Sequence, residues 1–336
     1  MERFIGILGI LVLLAIAFAM SNNRKSIPWR LVIWGLGLQL IFAIFILKTP
    51  IGQPFFGAID TAIKKILSFS DAGSDFLFKS FGAGIVEAPL MNFAFRILPT
   101  LIFFSSLIAI LYHFGIIQFI VKWVARAMQK TMRTSGSETL SVSANIFVGQ
   151  TEAPLMVRPF VSKMTKSELM AVMVGGFATV AGGVMAMYVK ILADIPGIAG
   201  HLMAASIMSA PAALVIAKII YPETESSDTM GDLKIVLEKK DDNAMEALSR
   251  GATDGMKLAA NVGAMLIAFV AMIALVNGIL GVIDLSLQQI LGWIFSPLAW
   301  VMGIPWHEAG TMGTLMGEKL VLTELIAYGD LAELRA

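Results

Sequence analysis

The sequence has no cysteine, few histidines and almost no net charge. The absence of cysteine among its 336 residues excludes disulfides, thiolate nucleophiles and cysteine-ligated metal sites. The three histidines, His113, His201 and His307, do not have the spacing of a metal site. A formal net charge of +1 provides no basic surface of the kind that binds nucleic acid, so no nucleic-acid partner is expected.

Charged residues are also scarce, at 15% of the chain against about 25% in a typical soluble domain. Hydrophobic residues make up 57%, and the mean hydropathy is +0.80. Several runs free of Asp, Glu, Lys and Arg reach about 17 residues or more, which is enough to cross a bilayer as a helix. They are 4–20, 31–47, 97–121, 169–189, 195–217 and 258–283. The chain is therefore predicted to be an all-α integral membrane protein, with the first run retained as a span.

Two other apolar stretches, 139–151 and 285–306, are short or interrupted by glycine and proline. This pattern is typical of re-entrant hairpins that surround a central binding site, as found in transporters with inverted repeats. An ordinary span with a kink is the alternative for each stretch. We predict two such hairpins.

Basic residues on the short loops indicate an outside N-terminus and a first hairpin that enters from the inside. Lys122, Arg126, Lys130 and Arg133 are four, four and three residues apart, so a helix would place them on one face. We expect this helix to lie along the anionic inner leaflet. Residues 54–69 predict a second, amphipathic interfacial helix, and residues 221–257 predict a solvent loop with a short helix around 233–250.

Polar side chains cluster in a segment that the hairpin interpretation places at membrane depth. Two amides, a hydroxyl and a carboxylate occur within eight residues, on Asn145, Gln150, Thr151 and Glu152. Buried polar groups need partners, and at a hairpin tip these side chains would face a water-filled cavity. The segment predicts a binding site for a polyhydroxylated ligand. Alternatively, Glu152 lies at the membrane surface beside Arg158.

The last apolar segment, 309–328, carries Glu318, Lys319 and Glu324, and so much charge must face protein or water. Thr323-Glu324 follows the second predicted hairpin, as Thr151-Glu152 follows the first. The matching positions indicate two related halves that meet at one site.

The segment 179–183, with the sequence TVAGG, interrupts the apolar run 169–189. Its adjacent glycines weaken a helix and permit local unwinding. Unwound carbonyls and the Thr179 hydroxyl would be hard oxygen ligands for a small alkali cation. Asn145 and the carbonyl of Val148 could complete that shell. The alternative is close helix packing through small residues, which composition alone favours.

Four segments resemble the concentrative nucleoside transporter family, and the resemblance extends over essentially the whole chain. They are ANIFVGQTEAPL at 144–155, ILPTLIFFSSL at 97–107, GGFATVAGGVMA at 175–186 and GEKLVLTELIAY at 317–328. The resemblance implies a bacterial member that forms a homotrimer, with two opposed re-entrant hairpins and interfacial helices in each protomer.

The resemblance also implies roles for individual residues. It implies that Gln150, Thr151 and Glu152 bind the nucleobase, that Val184 lines that side and that Glu324 holds the ribose hydroxyls. It implies a sodium site formed by Asn145, Val148, Thr179 and Val180, partly through main-chain oxygens. Serine is common in the family at the position of Thr179, and threonine keeps the hydroxyl.

The implied function is a secondary active transporter, not an enzyme. It would import nucleosides such as uridine across the bacterial cytoplasmic membrane by sodium symport, with an elevator-like movement of the hairpin-containing unit. A proton-coupled symporter, using a protonated Glu152 or Glu324, is the alternative. An intramembrane enzyme is disfavoured because no nucleophile stands beside a histidine, and a passive channel because the spans are too apolar for a polar lining.

We divide the sequence into five parts. Residues 1–50 hold two spans, 51–137 the interfacial helices and span 3, 138–221 the first hairpin with spans 4 and 5, 222–284 the cytoplasmic loop with span 6, and 285–336 the second hairpin with part of span 7. Members of the family continue beyond the Glu324 segment with an Asn and a Ser that complete the ribose site. We therefore expect these 336 residues alone not to transport.

Overall fold

The computed structural model describes residues 2–50, 52–78, 98–150, 153–230 and 241–334. Predictions for Thr151 and Glu152 therefore fall outside the described residues. Helices dominate the described ranges, and 3-10 helices occur at Arg24–Ser26, Ala153–Lys163 and Gly281–Ile283. The α-helices are α1 (Glu2–Ala19), α2 (Trp29–Lys48), α3 (Gly52–Phe78), α4 (Leu98–His113), α5 (Ile116–Met132), α6 (Gly136–Asn145), α7 (Lys166–Ala178), α8 (Gly182–Ile191), α9 (Ile198–Ile220), α10 (Ala244–Leu280), α11 (Leu287–Val301), α12 (Trp306–Val321) and α13 (Glu324–Glu333).

Among the described residues, four helices are long and apolar enough to cross a membrane, or up to six if each of two bent helix pairs forms one span. The four are Trp29–Ile46, Lys166–Ile191, Ile198–Ile220 and Ala244–Ile283. The apolar part of α1, Gly6–Ala19, is shorter. The prediction of an all-helical membrane protein with several apolar spans is confirmed.

The apolar run 97–121 does not form one straight helix, contrary to the sequence prediction. It is divided between α4 and α5, which bend by 74°. Gly115 lies at the bend with a φ of +77°, a left-handed conformation that glycine adopts readily. The basic residues of α5 are exposed, while Val121, Ala125 and Met128 are buried, so the predicted single basic face is confirmed.

The second predicted hairpin corresponds to α11 and α12, which bend by 118° at their junction. Glycines let the two helices approach closely, since a Cβ on Gly313 would lie 2.7 Å from the Gly292 carbonyl oxygen. At the turn between them, Gly303 has a φ of +103°. This geometry is the one expected of a re-entrant hairpin.

The first predicted hairpin begins with α6, which ends at Asn145 in a turn that continues to Gln150. The chain then returns as the 3-10 helix Ala153–Lys163, which packs against α6. Pro159 lies inside this 3-10 helix, and a proline disfavours a regular α-helix at such a position.

The polar linker differs from its prediction. Of the helix expected around 233–250, residues 233–240 lie outside the described residues. The described part begins at Ala244 and continues through the next apolar run as α10. Ser227, Thr229 and Asp241 are buried rather than in solvent. The helix predicted at 54–69 is present and is longer, as α3, and its interfacial location stays a prediction.

The described chain divides into two compact units. The larger comprises Ala17–Val189 and Pro196–Lys257, and contains the first hairpin. The smaller comprises Met1–Ile16, Lys190–Ile195 and Leu258–Ala336, and contains the second hairpin. The five parts assigned from the sequence remain predictions.

Candidate functional site

Asn145 occupies the last position of α6, in the larger unit. Helix α6 begins with a capping box, in which Ser135 and Glu138 each bond to the other's backbone N–H group. Every residue of α6 is buried. The Asn145 side-chain Nδ2 donates to the Gly175 carbonyl oxygen and to Thr179 Oγ1, each at 2.6 Å. The amide therefore joins the end of α6 to the end of α7.

Thr179 caps the C-terminal end of α7, where the helix gives way to extended backbone with φ −123° and ψ 155°. Its Oγ1 lies 3.3 Å from the carbonyl oxygens of Asn145 and Gly175. The helix resumes at Gly182, so the predicted unwinding is present. Gly182 also packs closely, because an added Cβ would lie 2.3 Å from the Phe147 carbonyl oxygen. The TVAGG segment therefore both unwinds and packs closely, and its role in binding a cation stays a prediction.

One atom of this arrangement has no partner. Asn145 Oδ1 is buried and accepts no hydrogen bond from any residue that the structure describes. The amide orientation is set by its surroundings, because Nδ2 faces two acceptors at 2.6 Å and Oδ1 would repel the Gly175 carbonyl oxygen. A buried acceptor without a donor is costly unless a cation or water satisfies it.

Helix ends add to the negative potential at this point. The C-terminal ends of α6 and α7 meet at Asn145 and Thr179, and helix C-termini carry partial negative charge. Oxygen ligands at helix ends and unwound backbone are the donors that transporters use for sodium. The residues present therefore fit the predicted ion, with Asn145 and Thr179 as side-chain ligands and Val148 and Val180 as candidate main-chain ligands.

The structure places the other predicted residues of the larger unit as follows. Val148 is buried in the turn after α6, and Val180 lies half-buried in the break between α7 and α8. Gln150 is exposed, with its Cβ 3.5 Å from where a Cβ on Gly176 would lie. Val184 is half-buried on α8. Thr151 and Glu152 lie outside the described residues.

Glu324 belongs to the smaller unit and begins α13. Thr323 caps this helix by accepting a bond from the Ile326 N–H at 3.3 Å. The Glu324 carboxylate is half-buried, and its Oε1 lies 2.8 Å from Lys319 Nζ. The carboxylate is thus held at a helix N-terminus, where the helix dipole stabilises negative charge.

A buried polar network in the larger unit was not predicted from the sequence. Lys218 is 3% exposed, and its Nζ lies 2.6 Å from Glu138 Oε2 and 2.8 Å from Ser167 Oγ. Glu168 Oε1 accepts bonds from Ser227 at 2.6 Å and Thr229 at 2.7 Å. The network joins α6, α7, α9 and the start of the polar linker.

A signal for part of this network is present in the sequence. Two Ser/Thr-x-x-Glu motifs, at 135–138 and 165–168, match the capping box, and both form one. They identify Glu138 and Glu168 as helix starts. The motif does not identify Lys218, which lies 50 residues after Glu168 in the numbering.

Three family models match the chain. Residues 8–81 match the N-terminus of the Na+ dependent nucleoside transporter, and residues 201–336 match its C-terminus. Residues 94–195, which include Asn145 and Thr179, match the model described as nucleoside recognition.

Individual relatives cover nearly all of the chain. An uncharacterized transporter of Haemophilus influenzae is 44% identical over 97% of this chain and 79% of its own length. Sodium/nucleoside cotransporter 1 of Mus musculus is 40% identical over 99% of this chain, which spans about half (51%) of that protein. A solved structure of CNTnw in an inward-facing, substrate-bound state has a TM-score of 0.89 and 43% identity, and the match covers 98% of this chain and 80% of that one.

Proposed function

Because this chain belongs to the concentrative nucleoside transporter family, a family of sodium-dependent membrane transporters and not of enzymes, we propose that it imports nucleosides together with sodium. The proposed location is the bacterial cytoplasmic membrane. The proposed assembly is a homotrimer, in which the two hairpins of each protomer move in an elevator-like manner.

The observation that carries the sodium assignment is the unpartnered, buried Asn145 Oδ1 between two helix C-termini. A neutral amide oxygen and a hydroxyl are suited to a hard monovalent cation, which needs no full charge to balance it. We assign the ion to Asn145, Val148, Thr179 and Val180.

The nucleoside would bind next to this ion site. Gln150, Thr151 and Glu152 follow Asn145 and Val148 directly in the chain, so one turn would carry ligands for both. Amide, hydroxyl and carboxylate groups match the hydrogen-bonding edge of a nucleobase. Val184 would supply apolar contact, and Glu324 would accept bonds from ribose hydroxyls.

This shared turn suggests how the two bindings are coupled. The ion would fix the end of α6 and so order the turn that carries Gln150. A nucleoside that binds the ordered turn then loses less conformational entropy, and the coupling is reciprocal, typically about 1–3 kcal/mol.

Equilibrium binding tests the proposal without a membrane. We expect purified full-length protein to bind uridine about 5- to 150-fold more tightly in sodium chloride than in choline chloride at equal ionic strength and pH. Equal affinity in the two salts would contradict sodium coupling. If affinity instead increases on acidification in choline chloride, the proton-coupled alternative is favoured.

A further inference from the structure

Helices α6 and α7 carry the proposed ion ligands at their C-terminal ends, and the two helices touch at three levels. At their starts, Ser137 Oγ donates to Glu168 Oε1 at 3.0 Å. Further along, a Cβ on Gly175 would lie 2.6 Å from Val142 Cγ2. At their ends lies the hydrogen bond between the two side-chain ion ligands described above. Since starts meet starts and ends meet ends, α6 and α7 run parallel to each other.

Parallel packing has an electrostatic consequence for this pair of helices. It places the two positive starts side by side and the two negative ends side by side. At the starts, the carboxylates of Glu138 and Glu168 offset the positive charge. At the ends, Asn145 and Thr179 supply only neutral side chains, so the ends repel each other until a cation lies between them. Without the ion, the pair must therefore be held together at its starts.

The first part of the polar linker joins the two starts. We call residues 221–230 the clamp segment. Its buried Ser227 Oγ and Thr229 Oγ1 donate to Glu168 Oε1 at 2.6 and 2.7 Å. The Thr229 carbonyl oxygen accepts a bond from the Gly136 N–H at 2.8 Å. Thr229 thus binds α7 through its side chain and α6 through its backbone.

Two more hydrogen bonds attach the beginning of the clamp segment to the start of α7. Ser167 Oγ donates to the Tyr221 carbonyl oxygen at 2.7 Å. Thr165 Oγ1, at the N-cap of α7, donates to Glu223 Oε2, also at 2.7 Å. The clamp segment is therefore attached at both of its ends, although it contributes little apolar surface to the core.

We propose that the clamp segment sets the position of α6 against α7 and thereby holds Asn145 and Thr179 at the spacing that the ion requires. Helix α6 has 10 residues, all of them buried, and is only about 15 Å long. A displacement of its start is therefore transmitted to its end. Ser227 and Thr229 are then positioning residues for the ion, which they influence through Glu168. The inference rests on the proposed sodium site and deepens it.

Thermal unfolding of purified full-length protein in sodium chloride tests this role without nucleoside or membrane. Because a bound ion stabilises by RT ln(1 + [L]/Kd), the rise in melting temperature gives an apparent sodium Kd. A contact that is only structural lowers the melting temperature without sodium and leaves this Kd unchanged. We expect Ser227→Ala combined with Thr229→Val to raise the Kd about tenfold, the usual effect of removing groups that orient metal ligands. Ser226→Ala, an exposed change in the same segment, is the matched control and should keep the parent's Kd.

A covalent link at the same place provides a rescue experiment. No cysteine occurs in these 336 residues, so an engineered disulfide is easily assigned. Ser137 Oγ and Thr229 Oγ1 lie 2.8 Å apart, close to the sulfur separation of about 2.05 Å in a disulfide. We expect Ser137→Cys combined with Thr229→Cys to bind sodium weakly when reduced, because a thiol is a weak donor to Glu168. Oxidation should return the sodium Kd to near the parent value, and neither single cysteine variant should respond to the oxidant.

The possible results separate this role from the sodium site on which it rests. If the Ser227→Ala, Thr229→Val variant and the parent have the same sodium Kd, the clamp segment does not position the ion ligands, even if the variant melts earlier. If that variant does not fold, the cysteine pair supplies the comparison. A disulfide that fails to form, or that forms without restoring sodium affinity, also overturns the proposal. A parent that sodium does not stabilise more than choline would overturn the sodium site itself, and this role with it.

Discussion

Asn145 and Thr179 are 34 residues apart in sequence, and a 2.6 Å hydrogen bond between Asn145 Nδ2 and Thr179 Oγ1 joins them. The bond links the ends of two helices that belong to different parts of the chain, one in the first hairpin and one in a broken span. It also turns Asn145 Oδ1 toward a place where no described residue donates to it. This one contact therefore both holds the break together and leaves an oxygen for a cation.

Removal of the Thr179 hydroxyl tests that contact. We expect Thr179→Val to raise the sodium concentration for half-maximal uridine uptake by about tenfold or more, since loss of a ligand or its supporting bond typically costs that much metal affinity. Thr179→Ser, which keeps the hydroxyl, is the matched control and should stay near the parent. If Thr179→Val and the parent protein have the same sodium dependence of uptake, Thr179 does not contribute to the ion site.

Adjacent glycines at the start of α8 give a second test. An added Cβ on Gly182 would lie 2.3 Å from the Phe147 carbonyl oxygen, whereas one on Gly183 meets nothing nearer than Ser105 Oγ at 3.8 Å. We therefore expect Gly182→Ala to shift the hairpin turn and impair both uptake and thermal stability. Gly183→Ala should be tolerated. Two variants with the same stability would show that the turn accommodates the methyl group freely.

Lys218 should be more important for stability than any exposed lysine of the chain. Its replacement by methionine leaves the buried carboxylate of Glu138 without its cation, and loss of one partner of a buried ion pair costs about 3–5 kcal/mol. We expect Lys218→Met to lower the apparent unfolding temperature in detergent markedly. Lys257→Met changes an exposed lysine on α10 and should have little effect. If Lys218→Met and Lys257→Met have similar apparent unfolding temperatures, the buried ion pair of Lys218 with Glu138 does not stabilise the protein as proposed.

Glu324 is predicted to contact the nucleoside rather than to serve only its ion pair with Lys319. Glu324→Gln should weaken uridine binding by about 1.5–3 kcal/mol, the usual contribution of a hydrogen bond to a charged group. Lys319→Gln removes the same ion pair but keeps the carboxylate, and Lys319 is largely exposed. It should therefore cost at most about 1 kcal/mol. If both variants lose the same affinity, the ion pair and not a ribose contact explains the effect.

The apolar runs predict most of the fold because each span must bury its own backbone hydrogen bonds in a helix. The bend at Gly115 was not predicted, since the residues on both sides are equally apolar and only the backbone conformation of one glycine separates them. The buried positions of Ser227 and Thr229 were also missed. Their segment is polar in composition, and only the distant Glu168 explains their burial.

The residues of the candidate site, like the fold, were predicted from the sequence only in part. Polar residues that interrupt apolar runs are candidates for a functional site, and this pattern identifies Asn145 and Glu324. The partner of Asn145 could not be found by spacing, since 34 residues separate it from Thr179 and the intervening chain turns twice. The cation-site interpretation of the TVAGG segment and the family resemblance both suggested that pairing, and the structure brings the two side chains together.

Uptake of radiolabelled uridine into proteoliposomes that contain the product of the intact gene, with and without an inward sodium gradient at fixed pH, tests sodium-coupled nucleoside import most directly. We expect accumulation above the external concentration only with the sodium gradient, and loss of that accumulation in Glu152→Gln. Uptake that ignores sodium but follows a pH gradient would contradict the assignment of the Asn145 and Thr179 site to sodium. Absence of nucleoside uptake under either gradient would contradict the proposed function itself.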